Sequence, residues 1–462
     1  MKNMTLRRIA QACGGILHAK KGEEDREISS LVTDSRQAKE RSLFAAIKGE
    51  RVDGHRFIPA VFEQGAVCVL SEQELGEDTA GSWIKVNSTL QALKDIAEYY
   101  LGQLAIPVVG ITGSVGKTST KEVIAAVLSQ KYRTLKTQGN FNNELGLPLT
   151  VFRLREEDEI AVLEMGIRVF GEMHRLAKIA SQDTCVSTNI GQCHLENLHD
   201  RDGILRAKTE IFDFLKPEGH IILNGNDDKL AGVKAVNGVE PLFFGTEPSA
   251  AGVRLSVRAD QTESLGLEGT RCRIHTAAGD FAVKIPVPGR HMVHNALAAA
   301  AVGLVYGLTP DQIREGIESL QPVSGRFHII DTDRYKIIDD CYNANPVSMK
   351  ASLEVLQEAA GRRVAILGDM GELGEKEAEL HRQVGTFAGG CAIQRLVTVG
   401  PLSLHLEEGA KETNPALETA HYDSLEELLE NLDREVSAGD TVLVKASHFM
   451  NFPRIVERLQ EL

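Results

Sequence analysis

The stretch Gly110 to Thr120, GITGSVGKTST, can do chemistry by itself. Glycines free backbone N–H groups to wrap phosphate oxygens, Lys117 supplies a cation, and the Thr118 hydroxyl can ligate Mg²⁺. An apolar run precedes it and a helical pattern follows, which is the setting a nucleoside triphosphate cradle requires. The spacing departs from the strict phosphate-loop pattern. Ile111 stands five residues before Gly116, so the working core is Gly113-x-x-Gly116-Lys117-Thr118, with Ser114, Val115 and Ser119 completing the loop.

A metal-bound nucleotide needs further oxygen ligands, and strand-end carboxylates next to the cradle are the natural source. Glu164 ends an apolar run and is followed by a turn at Gly166. His194, in TNIGQCHLENL, follows another such run; alone, a histidine there is more often a structural hydrogen-bonding residue. Lys208, in RAKTEIF, reads by itself as a solvated surface lysine. Asn140, Asn142 and Asn143 crowd a polar loop that offers both donors and acceptors, and an asparagine-rich turn is the alternative. Asp339 and Asp340 end a strand in IIDDCYNANP. They suit ribose hydroxyls or a metal, with Tyr342, Asn343 and Asn345 beside them as candidate substrate-binding residues; a helix N-cap cluster is the alternative.

The elements that must position these residues are legible from hydrophobic pattern. Short apolar runs (Ser42–Ile47, Ala66–Leu70) mixed with helical stretches (Phe57–Gln64, Leu90–Leu104) predict a small α/β domain over residues 1–103. Strands at Val108–Thr112, Ile160–Glu164, Thr184–Thr188 and His220–Asn224 alternate with helices at Lys117–Gln130, Phe170–Ala180 and Gly203–Leu215. This is the rhythm of a parallel sheet, over residues 104–320. Alternating patterns at Val253–Val257, Leu265–Ile274 and Phe281–Val287 predict antiparallel strands appended to it, then an alanine-rich helix Met292–Tyr306. Residues 321–462 repeat the α/β pattern, with strands at Tyr335–Asp339, Arg363–Leu367, Arg395–Val399 and Thr441–Val444. The fold class expected is three-domain α/β, with a central phosphate-loop sheet and a Rossmann-like third domain.

Composition narrows the function classes. The net charge of −14 repels polyanions and disfavours nonspecific binding to nucleic acid or acidic lipid. No window approaches the roughly 18–20 apolar residues of a membrane span, and the apolar stretch after Arg8 is broken too early for an export signal. The seven cysteines are odd in number and contain no CxxC pair, so reduced thiols and a cytoplasmic location are expected.

Taken together, the motifs resemble the Mur ligase family, ATP-dependent amide-forming enzymes of peptidoglycan synthesis. The resemblance rests on DSR at Asp34–Arg36, LFAAIKGERVDGHRF at Leu43–Phe57, TGSVGKTST, TQGNFNNELGLP, LEMG, AKTEIF, GRHMVHNALAAA, SGRF and DDCYNANP. It implies a first domain that holds a UDP-sugar, a central domain that holds ATP, and a third that closes over both and binds the incoming amine. GNFNNELGLP is similar to the D-Ala-D-Ala-adding branch, whose other substrate is UDP-MurNAc-tripeptide. The DNPR-type motif of the branch that adds diaminopimelate is absent. The resemblance further implies two Mg²⁺ ions, one on Thr118 and Glu164 and the other on His194, with Lys208 carbamylated by CO₂ as an additional ligand. It also implies Asn295 at the adenine, Arg326 and Asp340 at the phosphates and ribose, and Ser35, Arg36, Lys48, Gly49, Asp53 and His55 at the UDP-sugar. A monomer is expected. One departure is KASHFMNF, where His448 stands in the place of an expected arginine. Rival readings are another Mur-type amide ligase, a folylpolyglutamate synthase and a nucleotide-binding regulatory protein; the first hundred residues count against the synthase.

Overall fold

A computed structural model describes residues 1–462. It contains three separate β-sheets flanked by helices, in chain order. The first runs Ile16–His18, Ser82–Lys85, Cys68–Ser71, Ser42–Ala45, Ser30–Val32, and only its first pair is antiparallel.

The central sheet has nine strands, in the order Gly279–Ile285, Thr270–Thr276, Leu255–Ser264, Leu242–Thr246, His220–Asn224, Thr184–Ser187, Val108–Thr112, Ile160–Glu164, Thr134–Lys136. Val108–Thr112 lies between Ile160–Glu164 and Thr184–Ser187, all parallel. The chain therefore reverses its direction of travel across the sheet there, and the crevice opens beyond that strand's carboxyl end. All five of its residues are buried, as its uninterrupted apolar run requires of a strand covered on both faces. The helix Lys117–Leu128 then packs Val123, Ile124, Val127 and Leu128 inward against the alanine-rich helix His291–Val305. Close approach from the other side depends on Gly316, whose missing Cβ would lie 2.4 Å from Val127 Cα.

The third sheet runs His328–Asp331, Lys336–Asp339, Thr441–Lys445, Arg363–Gly368, Arg395–Val399, Glu418–Tyr422, parallel except at the first pair. Apolar packing is continuous between sheets: one buried cluster links Val109 and Phe327 to Met349, Leu353 and Leu443. Another joins Leu43 and Ile96 of the first part to Leu163 and Ile179 of the second. No helix is long and apolar enough to cross a membrane, and all seven cysteines are free.

Most element types agree with the sequence reading; of the expected strand Leu265–Ile274, only Thr270 onward is strand, because Gly266–Glu268 forms a 3₁₀ turn before it. The segment after His220–Asn224 is not wholly antiparallel: Leu242–Thr246 and Leu255–Ser264 extend the sheet in parallel, and only then do two antiparallel partners follow. The expected helix Gly203–Leu215 is an α-helix Arg201–Thr209 that tightens into a 3₁₀ turn Glu210–Phe214. Edge strands His328–Asp331 and Glu418–Tyr422 escape pattern reading because neither contains a fully buried residue.

Candidate active site

The phosphate loop is held in shape by the loop that follows the neighbouring strand. Gly113 has φ +149°, and a Cβ there would fall 1.9 Å from Thr188 Oγ1, so no other residue fits. Thr188 Oγ1 donates to the Val115 carbonyl at 2.7 Å. Asn189 accepts from Val115 N and donates to Val115 O, both at 2.9 Å. Gly116, at φ +83°, starts the helix without a side-chain cap. The first helical N–H groups therefore face the cleft unsatisfied, which is an anion site. Lys117 Nζ folds back onto the Gly113 carbonyl at 2.7 Å, and burial lowers its pKa.

Beside the loop are the groups expected to hold cations. Thr118 Oγ1 donates to Glu164 Oε1 at 3.2 Å, and Asn142 Nδ2 donates to the same oxygen at 2.8 Å. Glu164 is 2% exposed, yet its Oε2 accepts no hydrogen bond; the nearest cation is Lys121 Nζ at 3.8 Å. A buried carboxylate oxygen left free beside a hydroxyl fits a hard cation that completes its shell with phosphate and water oxygens. His194 sits at φ +52°, its Nδ1 2.5 Å from Glu372 Oε2. Burial lowers the histidine pKa more than Glu372 raises it.

Lys208 departs most from its reading as a surface residue. It is 1% exposed, on the inner face of Arg201–Thr209, and Nζ has no hydrogen-bond partner. Burial pushes its pKa down to about 8, Cys193 opposes the shift and Lys117 adds to it. An unpartnered buried amine is costly unless it is neutral or modified, and those are the conditions a carbamate requires. No three His, Cys, Asp or Glu side chains converge on one point, so protein groups alone do not enclose a metal.

The far wall comes from the third sheet's end of the chain. Arg326 Nη2 donates to Thr118 Oγ1 at 3.2 Å, and its guanidinium stacks 3.9 Å from the Tyr342 ring centroid. Asp340 lines the cleft, but its Oδ2 takes Lys445 Nζ at 2.6 Å and the Ser352 hydroxyl at 2.7 Å. Asp339 Oδ2 accepts from Gly325 N at 2.7 Å. Asn345 caps the helix Pro346–Gln357, and Asn143 Oδ1 accepts from Gly146 N, so both have local structural work. Asn140, Asn143, Asn343, Asn345 and His448 nonetheless line the same cleft, a cavity of about 370 Å³. His448 lies 5.7 Å from the Tyr342 ring.

An adjoining cavity of about 170 Å³ is lined by Phe244, His291, Phe327, Val347 and Asn295. Asn295 Oδ1 accepts from Thr120 Oγ1 at 2.9 Å. Burial pushes the His291 pKa down to about 4 and lowers that of His294, which disfavours charge on both rings, and the cavity suits a flat, uncharged base. Sequence reasoning missed Phe244, His291 and Phe327; the one available signal was the His291, His294, Asn295 spacing, which places three polar groups along one helix face.

Residues assigned to the sugar nucleotide form a different group. Ser35 and Arg36 follow the strand Ser30–Val32, and Lys48 to His55 follow its parallel neighbour Ser42–Ala45. Both loops therefore leave the same end of the sheet, at the carboxyl ends of its strands. Arg36 is paired with Asp34 at 2.7 Å, the backbones of Lys48 and Asp53 pair in an isolated antiparallel bridge across a tight turn beside Gly49, and Asp53 holds His55 Nδ1 at 2.6 Å. None of them lines the central cleft.

Such a phosphate loop at a sheet's switch point, with the third sheet folded against it, defines a three-part nucleotide-dependent ligase. The chain belongs to the Mur ligase family: residues 27–101 match the Mur ligase catalytic domain, 111–303 the Mur ligase middle domain, and 325–448 the glutamate ligase domain. It is 38% identical, over its full length and 99% of the relative, to UDP-N-acetylmuramoyl-tripeptide–D-alanyl-D-alanine ligase of Bacillus subtilis, and 34% identical to that of Escherichia coli over the same shares. Among solved structures, MurF of Acinetobacter baumannii superposes with a TM-score of 0.90 at 33% identity, covering 99% of both chains. MurF of Thermotoga maritima in complex with ADP superposes with 0.81 at 30% identity, covering 94% of this chain and 97% of the other.

Proposed function

We infer that this chain is an ATP-dependent ligase that joins D-Ala-D-Ala to UDP-MurNAc-tripeptide, giving UDP-MurNAc-pentapeptide, ADP and phosphate for peptidoglycan. The observation that carries this reading is the position of the Thr118 hydroxyl between Glu164 and Arg326, at a loop built for phosphate. A carboxylate and an amine do not condense usefully at neutral pH. The tripeptide carboxylate therefore attacks the γ-phosphorus first and ADP leaves. The N–H groups of Gly116 to Thr118, the Lys117 ammonium and the Arg326 guanidinium take up charge on the transferred phosphoryl group. The dipeptide amine then adds to the acyl-phosphate carbon, and phosphate departs as the amide forms.

Thr118 and Glu164 would hold one Mg²⁺, and His194 with a carbamylated Lys208 a second. Bound magnesium would supply positive charge to the phosphate oxygens. Residues 1–103 would bind the UDP-sugar through Ser35, Arg36 and the Lys48–His55 turn, 104–320 the ATP, and 321–462 the amine. The adenine would enter the cavity beside Asn295. Asp340, with Oδ2 already engaged, would reach the nucleotide only through its other oxygen. A cytoplasmic monomer completes the reading.

Mass spectrometry of a reaction containing UDP-MurNAc-tripeptide, D-Ala-D-Ala and ATP tests it. A pentapeptide product with one ADP per amide is expected; phosphate release indifferent to D-Ala-D-Ala would remove it. The folylpolyglutamate synthase of Mycobacterium tuberculosis shares the fold at a TM-score of 0.62 and 15% identity, which carries no activity across.

A further inference from the structure

Glu372 lies in the turn after the strand Arg363–Gly368, in a part of the chain that no expectation touched. It is one of the few non-glycine residues at positive φ, +61°. A side chain held in the left-handed region is uncommon and strained, so surrounding contacts must fix it. Those contacts all cross from the third sheet to the central one. Glu372 Oε2 lies 2.5 Å from His194 Nδ1, and Oε1 lies 3.4 Å from Arg168 Nε. Two residues on, the position of a Cβ on Gly374 would sit 3.6 Å from Glu196 Cα, so the backbone of this turn rests on the turn that carries His194. His194 is itself at φ +52°. Two residues in an uncommon conformation therefore face each other across the closing surface, joined by a carboxylate and an imidazole. Nδ1 has no other partner.

An imidazole that binds a cation through one nitrogen needs its other nitrogen held, which fixes both tautomer and ring direction. We propose that Glu372 is a positioning residue: it holds Nδ1 of His194 so that Nε2 is left for the cleft, and because it arrives on the third sheet, the cation site is complete only when the sheets are docked. Arg168 neutralises the carboxylate oxygen that His194 does not use. The inference rests on the reading of His194 as a cation ligand.

The test uses the full-length protein with Mn²⁺ as a paramagnetic stand-in for Mg²⁺, titrated in the presence of the non-hydrolysable analogue β,γ-methylene-ATP and followed by electron paramagnetic resonance. Glu372→Ala should weaken the Mn²⁺ site that His194→Ala also weakens, by about 10- to 100-fold. Glu372→Gln, which retains an acceptor for Nδ1–H, should recover most of that affinity, and kcat should fall with the affinity while KM for the tripeptide substrate stays within about threefold. If His194→Ala weakens Mn²⁺ and Glu372→Ala leaves it at the parent value, the positioning role is overturned and the ligand reading stands. If His194→Ala leaves Mn²⁺ binding unchanged, both are overturned. Equal losses in Glu372→Ala and Glu372→Gln would also overturn the proposal, since the retained acceptor would then count for nothing.

Discussion

The Arg326 guanidinium donates to the Thr118 hydroxyl at 3.2 Å although 208 residues separate them. The first residue of the third segment's wall thus meets the phosphate loop of the second at the group expected to hold the nucleotide's metal. On the proposed function, catalysis depends on both halves being present together. Arg326→Ala should lower kcat/KM for ATP by about 10²-fold. It should also reduce the compaction seen by small-angle scattering when ATP analogue and UDP-tripeptide are added; an unaltered compaction would assign Arg326 to chemistry alone.

Lys117→Ala should abolish ATP turnover, a loss of about 10²-fold or more, with a melting temperature within about 3 °C of the parent. Its Nζ contacts only carbonyls of its own loop, so no core depends on it. Phosphate release at the parent rate would show that the loop cradles something else.

At Lys208 the two directions of pH are distinguishable. Burial pushes the pKa from its usual range down to about 8, so raising pH through 8 increases the neutral amine that reacts with CO₂. A ¹³C carbamate resonance from labelled bicarbonate should therefore strengthen between pH 7 and pH 9 and be missing in Lys208→Ala. That variant should be nearly inactive and partly restored by a short carboxylic acid. Full activity of Lys208→Ala in bicarbonate-free buffer would return the residue to a packing role.

Gly113→Ala should destabilise the protein by roughly 2 kcal/mol or more, since the new methyl must displace Thr188 and the backbone must hold φ +149°. Urea unfolding measures the loss. ATP binding should fall with it, because Thr188 also holds the Val115 carbonyl.

The buried Asp340–Lys445 pair separates a structural from a nucleotide-binding role. Asp340→Asn leaves Lys445 buried at 2% exposure without its counter-ion, a change that costs about 3–5 kcal/mol. A stability loss of that size accompanied by an unchanged KM for ATP would fix Asp340 as the holder of Lys445; a raised KM in a stable variant would instead place it on the ribose.

What the sequence determined by itself is everything that a local rule encodes. The loop Gly113–Thr118 is legible because glycine, lysine and threonine at that spacing, between an apolar run and a helix, have one common use. Strands such as Val108–Thr112 and Ile160–Glu164 fall where they were expected because burial on both faces demands an unbroken apolar run. The three-sheet order follows from the alternation of such runs with helices. What only the tertiary structure decided is which side chains meet across long chain separations. Lys208 carries no local sign of being buried: its helix offers Arg206 to solvent and Lys208 to the interior through geometry that depends on the sheet beneath it. Glu372 reads as one more acid in a glycine-rich turn until the docking of two sheets brings it to His194. Phe244, His291 and Phe327 become one cavity wall in the same way. Periodicity specifies an element and its inward face; the partner of that face is set by packing, which no short window of sequence contains.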